Sequence, residues 1–358
     1  MTPPLRVVQV ASGREWRGGQ RQVLLLAREL ARRSIDQVVV TTAGSRLARE
    51  LGQAGVTVRA APWHRAFSLR TLGIVAGLAR RPGTILHAHD AHALVLAGLA
   101  ARLFGRPLVV TRRVDFHIRR PGFWVRADRV IAISEAVAEI LRADGIPPDR
   151  IALVHSGIDL EGTQATVPGQ IRIELGLPAG GLLAVTVAAL APHKDHVTLL
   201  HAAAALRPTL PGLHWALAGE GPERAPLTAL AEQLGVTDVV HFLGHVREPL
   251  RLIKAGSVFV LSSREEGLGT SILDAMVLGV PVVATAAGGI PEMLGGGAGV
   301  LVPPGDAPAL ADAVAKLLRD PARARTLVER AAAKVTDFSA AAMAEGALSV
   351  YRSLLLER

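Results

Sequence analysis

Apolar positions along the chain alternate between two patterns. Short unbroken apolar runs predict strands buried on both faces, and stretches in which leucine, valine and alanine recur every three or four positions predict amphipathic helices. Arg6–Ala11, Gln37–Thr41, Val56–Ala60, Thr84–His87, Leu108–Thr111, Arg129–Ile133 and Ile151–Val154 read as strands. Arg21–Arg33 carries leucines at helical spacing after a Gly18-Gly19 break, and Ser134 is placed to cap a helix over Glu135–Ala143. The pattern lapses through Glu161–Gly180, which reads as an interdomain linker. It then restarts, with strands at Leu182–Ala188, His214–Ala218, Val239–Leu243, Val258–Leu261, Pro281–Thr285 and Gly299–Val302. Helices fit at His196–Leu206, Ala225–Leu234, Pro249–Ala255, Thr270–Leu278 and Ala307–Leu318. Strand and helix in alternation predict an α/β chain of two doubly wound parallel-sheet domains. The expected division is 1–160 and 161–339, with a last helix at about 340–358 packing back on the first domain. Ligands are expected where the carboxyl ends of both sheets face an interdomain cleft.

Composition narrows the function. A chain of 358 residues that is 50% hydrophobic holds more than one core. Its apolar stretches, such as Gly181–Leu190 and Val277–Val283, stop well short of the roughly 20 residues of a bilayer span. Met1–Val10 lacks the charged start and long apolar run of a signal peptide, so a cytoplasmic protein is expected. No cysteine is present, which excludes a disulfide frame and a thiol nucleophile. Charge is uneven: residues 1–160 hold 24 arginines and no lysine against 12 acids, a net of +12, and the remainder carries −3. Such a field draws anions. Aromatics at 3%, without zinc spacing or an RNA-binding aromatic motif, argue against nucleic acid as the partner.

The most specific segment is Glu265–Glu292, EEGLGTSILDAMVLGVPVVATAAGGIPE. Glu266 precedes a loop of Gly267, Leu268 and Gly269, and Asp274 follows eight positions later in a helix that begins near Thr270. Glycines let the backbone approach a ligand, and the helix start offers N–H groups to an anion. A carboxylate outside the helix can accept hydrogen bonds from sugar hydroxyls, and one two turns in can reach a ribose. Three further loops follow predicted strands: Ser12–Gln20 with Gly18 and Gly19, Gly219–Pro222 with Gly221, and Gly244-His245-Val246. None spells G-x-G-x-x-G, which disfavours a dinucleotide-dependent oxidoreductase. His87, His89 and His92 cross a strand-to-helix junction, a spacing that does not easily converge on a metal.

The Glu266–Asp274 segment resembles the E-x7-E signature of retaining GT-B glycosyltransferases of the group 1, family 4 type, which include bacterial cell-envelope transferases. The resemblance covers nearly the whole chain and implies two Rossmann-like domains. It implies that Glu266 contacts the donor sugar and Asp274 the nucleotide ribose, although Asp274 is one methylene shorter than the family's glutamate. Val185–Leu199 resembles the first strand and turn of the donor domain, where an arginine and a lysine clamp the diphosphate. Lys194 matches the lysine, but Ala189 fills the arginine's position, so the clamp needs completion by Arg17, Arg112 or Arg113. Gly18 and Gly19 then face the donor phosphates and the acceptor, Gly221 the donor, and Gly244, His245 and Val246 the nucleobase. His89 falls at the cleft floor near the acceptor, and Arg113 stands where the family carries a histidine, with His117 or Asp115 as polar substitutes. His155-Ser156-Gly157-Ile158-Asp159 resembles the family's hinge.

The expected activity is therefore a retaining, metal-independent transfer of a sugar from a nucleotide-diphosphate sugar to a saccharide or lipid-linked acceptor, in envelope polysaccharide, lipopolysaccharide or glycolipid synthesis. Glu266, Lys194, His89 and Arg113 are the catalytic candidates, and no cofactor is expected. A GT-B-type sugar-nucleotide epimerase and a non-enzymatic binder of anions or nucleic acid are the alternatives. Trp16-Arg17, Trp63–Phe67 with His64 and Arg65, and Phe116–Arg126 with Arg119 and Arg120 combine aromatics and arginines, a composition that predicts peripheral contact with the anionic inner face of the plasma membrane.

Overall fold

A computed structural model describes residues 4–63, 68–177 and 180–357 of the chain. It divides into two compact units: residues 1–157 with 339–358, and residues 158–338. His64, Arg65 and Phe67 lie outside the described residues.

The first unit is built on a seven-stranded parallel sheet of β1 (Arg6–Ala11), β2 (Asp36–Thr42), β3 (Val58–Ala61), β4 (Thr84–Ala88), β5 (Leu108–Arg112), β6 (Arg129–Ala132) and β7 (Ile151–Leu153), in the order β3-β2-β1-β4-β5-β6-β7. Every residue of β1 and β4 is buried, as strands covered on both faces require. The chain order reverses between β1 and β4. That switch point opens a crevice at the strands' carboxyl ends. Ser134 caps Glu135–Ala143 through its hydroxyl, which accepts from the Val137 amide at 3.2 Å.

The last helix, Ala340–Leu356, belongs to this unit. Its Met343, Ala344, Ala347, Leu348, Tyr351 and Leu354 pack with Val7, Leu30, Ile85, Val109 and Ile131 in one core. Gly157 permits this return of the chain: a Cβ there would lie 2.7 Å from the Ala340 Cα. The amide and carbonyl of Gly157 bond the buried Gln22 side chain at 2.8 and 2.9 Å.

The second unit holds a six-stranded parallel sheet of β8 (Leu182–Val187), β9 (Leu213–Ala218), β10 (Val240–Gly244), β11 (Val258–Leu261), β12 (Val282–Thr285) and β13 (Val300–Val302), in the order β10-β9-β8-β11-β12-β13. Its switch point lies between β8 and β11. The fold of the chain is thus α/β, with two Rossmann-like units.

The linker expected over 161–180 is, in its described residues 161–177, part of the second unit. Within this segment Arg172 donates from Nε to the Ala255 carbonyl at 2.8 Å and from Nη2 to Ser257 Oγ at 2.9 Å. The Gly169 amide donates to the Arg251 carbonyl at 3.1 Å. An arginine fork and a backbone hydrogen bond tie the stretch to the second unit, and no apolar periodicity announces either. Among the described residues, no helix is long and apolar enough to cross a membrane.

Candidate active site

In the second unit the two loops that leave β8 and β11 meet at the switch point. Lys194 ends a short 3₁₀ turn, Pro192–Lys194, and its ammonium forms an ion pair with Glu266 Oε2. Both side chains are largely covered, with 14% and 12% of their surface exposed. Ser263 Oγ also donates to Glu266 Oε2, at 3.4 Å.

The loop is shaped by glycine where nothing else fits. Gly288, at φ +49°, lies flat on the Glu266 peptide; a Cβ there would sit 1.7 Å from the Glu266 carbonyl oxygen. The Gly289 amide donates to that same carbonyl at 3.1 Å. Gly269, at φ +86°, turns the chain into the helix Thr270–Val277, while Gly267 and Leu268 are buried in the loop. Asp274 is buried on that helix.

The β11 loop also grips the turn that carries Lys194, residue by residue. The Arg264 amide donates to the His193 carbonyl at 2.8 Å. Ser262 Oγ donates to the carbonyls of Lys194 at 3.1 Å and Asp195 at 2.9 Å. Asp195 is left-handed, φ +46° and ψ +50°, and caps the helix His196–Leu206, accepting from Thr198 Oγ1 at 2.6 Å. The left-handed region is uncommon for a residue with a side chain, though aspartate tolerates it better than most. Arg264 Nε donates to Asp195 Oδ2 at 2.7 Å. The Arg264–Asp195 pair was not read from the sequence, because residues 69 positions apart leave no local spacing signal.

Close backbone approach recurs at the β9 and β10 ends. A Cβ on Gly221 would lie 2.1 Å from the Leu190 carbonyl, and Gly244 has φ +65° with Glu220 Oε1 at 2.6 Å from its Cβ position. His245 is exposed and Val246 half-buried; Val246 lines a groove of about 620 Å³ with Gln170, Leu243, Arg247 and Arg251. Ala189 is exposed at the β8 end and carries no charge.

In the first unit the switch point between β1 and β4 holds a chain of buried polar groups. His89 Nε2 faces Gln9 Oε1 at 2.8 Å, and Gln9 Nε2 donates to Gln37 Oε1 at 2.8 Å. Arg113 donates from Nη2 to His89 Nδ1 and from Nη1 to the His89 carbonyl, each at 3.1 Å. Arginine only donates, so the His89 proton resides on Nε2. The buried Arg113 Nε has no hydrogen-bond partner among the described residues. Beneath them His87 bonds Tyr351 Oη at 2.6 Å and Thr111 Oγ1 at 2.7 Å, its ring 4.1 Å from that of His89. Asp90 fixes the loop after β1 by accepting from the Ser12 amide at 2.7 Å and Oγ at 2.6 Å. Gly18 and Gly19 begin the helix Gly18–Arg32, and a Cβ on Gly19 would lie 3.9 Å from Arg113 Cδ. His92 is exposed on the next helix, apart from the other two imidazoles.

Burial, and then the Arg113 charge, push the His87 pKa down to about 3. His89 lies well below its usual value through burial, His87 and Arg113. Burial likewise draws Arg113 down to about 10, against the pull of Asp90. Both histidines are therefore neutral when folded and titrate near 6.5 when unfolded. Below pH 6.5 the unfolded chain binds more protons, so stability falls as the pH falls. His87 alone removes about 1.4 kcal/mol per pH unit between 6.5 and 3, or about 2 kcal/mol at pH 5. The urea midpoint of the first unit is expected to drop accordingly between pH 7 and pH 5. An unchanged midpoint contradicts the buried, neutral pair.

The other expected cations have different roles. Arg112 donates from Nε to the Val114 carbonyl at 3.1 Å, also bonds the Phe116 carbonyl and stacks over Trp124 at 5.2 Å, so its fork is committed to its own loop. Arg17 is exposed and pairs with Glu15. His117 bonds Asp144 at 2.6 Å. Two of the aromatics expected to face a membrane do not: Trp63 and Trp124 are each only 6% exposed. Their rings add more stability in the core than at the surface.

Comparison with known proteins agrees with this architecture. Residues 169–334 match the family described as Glycosyl transferases group 1, and residues 16–161 match Glycosyltransferase Family 4. The D-inositol 3-phosphate glycosyltransferase of Frankia alni is 31% identical, over 93% of this chain and 93% of that one. The chain belongs to the group 1 glycosyltransferases. Among solved structures, Anabaena HepE in complex with UDP and glucose superposes on the glycosyltransferase with a TM-score of 0.83 at 23% identity, covering 98% of this chain and 100% of that one. A glycosyltransferase from Rickettsia africae reaches 0.85 at 18% identity over 98% of this chain and 99% of that one. At these identities the likeness speaks for the fold.

Proposed function

We propose that this glycosyltransferase moves a sugar from a nucleotide-diphosphate sugar to a saccharide or lipid-linked acceptor, with retention at the anomeric carbon and without a metal ion. The observation that carries the reading is the Lys194–Glu266 contact at the β8–β11 switch point. It brings together a cation for the diphosphate and a carboxylate for sugar hydroxyls. As the bond to the leaving group lengthens, negative charge grows on the diphosphate, and a fixed ammonium stabilises that charge more than it stabilises the ground state. Glu266 orients the sugar, and a departing phosphate oxygen takes the acceptor's proton on the same face. Asp274 is assigned to the ribose, and Gly244, His245 and Val246 to the base. Arg113, held by His89 beside Gly19, is the polar group of the first unit best placed for an anionic ligand.

The relatives bear on donor and acceptor. HepE was solved with UDP and glucose, and the Frankia alni protein is named for D-inositol 3-phosphate, so uridine nucleotides and a phosphorylated polyol belong in the trial set. An envelope role at the inner face of the membrane rests on the exposed Phe116, Arg119 and Arg120; sedimentation with anionic but not neutral vesicles, lost in Arg119→Glu with Arg120→Glu, is expected, and equal indifference to both vesicle types would remove that part of the reading.

The deciding experiment screens nucleotide sugars in EDTA for thermal stabilisation and slow hydrolysis. A donor at 100 times its Kd adds about 2.7 kcal/mol, a Tm rise of about 5–10 °C. One donor class is expected to stabilise the chain and to turn over in EDTA. Activity lost in EDTA and restored by a divalent ion contradicts metal independence; no stabilisation by any donor contradicts the reading.

A further inference from the structure

Lys194 alone is a poor match for a diphosphate. Its ammonium is a point charge with three donors, one of them already on Glu266, whereas a diphosphate presents several charged oxygens that a planar fork matches in pairs. At the end of β8, Ala189 offers only a methyl group. The β11 loop carries another cation in the same neighbourhood. Arg264 stands two residues before Glu266, and its amide bonds the carbonyl of His193, the residue before Lys194.

The Arg264 side chain is 61% exposed, whereas the Asp195 side chain it touches is 5% exposed. Asp195 is anchored on three sides by Thr198, by Ser262 at its own carbonyl, and by its left-handed turn. Nε of Arg264 is committed to Asp195, which sets the direction of the guanidinium plane. Its Nη1 and Nη2 have no hydrogen-bond partner among the described residues. A rigid carboxylate holding one edge of an arginine and leaving the other edge in solvent is a device for presenting a fork to an anion.

We propose that Arg264, aimed by Asp195, is the second cation of the donor-diphosphate site beside Lys194. This inference rests on the nucleotide-sugar reading above. The competing role is purely local, in which Arg264 only neutralises Asp195 and stiffens the turn; that role affects every ligand of the unit alike.

Titration calorimetry on the full chain separates the two, with a nucleoside diphosphate that the unmodified chain binds, the nucleoside of the same base, and inorganic pyrophosphate. Arg264→Gln is expected to weaken the nucleoside diphosphate and pyrophosphate about ten- to hundredfold and to change nucleoside affinity less than about twofold. Arg264→Lys should recover part of the loss. Unchanged diphosphate affinity in Arg264→Gln, or an equal loss for the nucleoside, overturns the inference while leaving the donor reading standing. Failure of the unmodified chain to bind any nucleoside diphosphate overturns both.

Discussion

Glu266→Gln is expected to lower kcat by about two to three orders of magnitude while leaving Tm within about 2 °C of the parent. Glutamine keeps the length of the side chain and one oxygen for Lys194 and Ser263, so the loop on Gly288 has no reason to move. On the proposed function, what disappears is the negative charge that would hold donor hydroxyls and complement the positive character growing at the anomeric carbon. An interaction made only as charge develops appears in kcat, whereas a uniform contact appears in KM. Single-turnover kinetics on a saturating donor makes the check. A kcat near the parent's removes Glu266 from the reacting centre.

Gly288→Ala should be at least as damaging, by a different route. The added methyl would occupy a point 1.7 Å from the Glu266 carbonyl oxygen, and the φ of +49° already disfavours any side chain. The Glu266 peptide must shift by more than an ångström or the Ala287–Gly289 turn must open. Either response carries Glu266 away from Lys194. A loss of about a hundredfold or more in kcat/KM is expected, together with a Tm drop of several degrees from backbone strain of about 1–3 kcal/mol. Glu266→Gln should lack that Tm drop. Thermal unfolding beside steady-state kinetics distinguishes them, and a Gly288→Ala chain with parental activity and Tm would show that the loop geometry does not matter.

The sequence was most readable where burial is complete. Val258–Leu261, Pro249–Ala255, His196–Leu206 and Glu135–Ala143 run from residue to residue as their apolar pattern predicts, because each presents a continuous run or a full stripe to one core. Pro321–Lys334 escaped notice for the opposite reason. Only its Leu327 and Ala331 are buried, too few to make a stripe, and its start depends on the Asp320 cap and Pro321. The stretch after Glu161 has no such pattern, because an arginine fork and the Gly169 amide, not periodicity, tie it down.

The site followed the same division. The Glu266 loop was legible because glycines at fixed places beside a helix start leave a strong local mark. The Lys194–Glu266 and Asp195–Arg264 pairs join residues that are 72 and 69 positions apart, and only the packing of β8 against β11 brings them together. His89 and Arg113 show a third case. The resemblance named both residues, but only the packing of β4 against β5 shows that the Arg113 fork bonds the ring and the carbonyl of a buried, neutral His89.

The most direct test of the central claim follows the anomeric carbon itself. With an α-linked nucleotide sugar that the chain binds, proton NMR in EDTA distinguishes the anomeric signals of the first-formed product before mutarotation. The account predicts donor consumption with the α configuration appearing first, and its loss in Glu266→Gln. A β product appearing first, or a donor that binds and is never consumed, would contradict it.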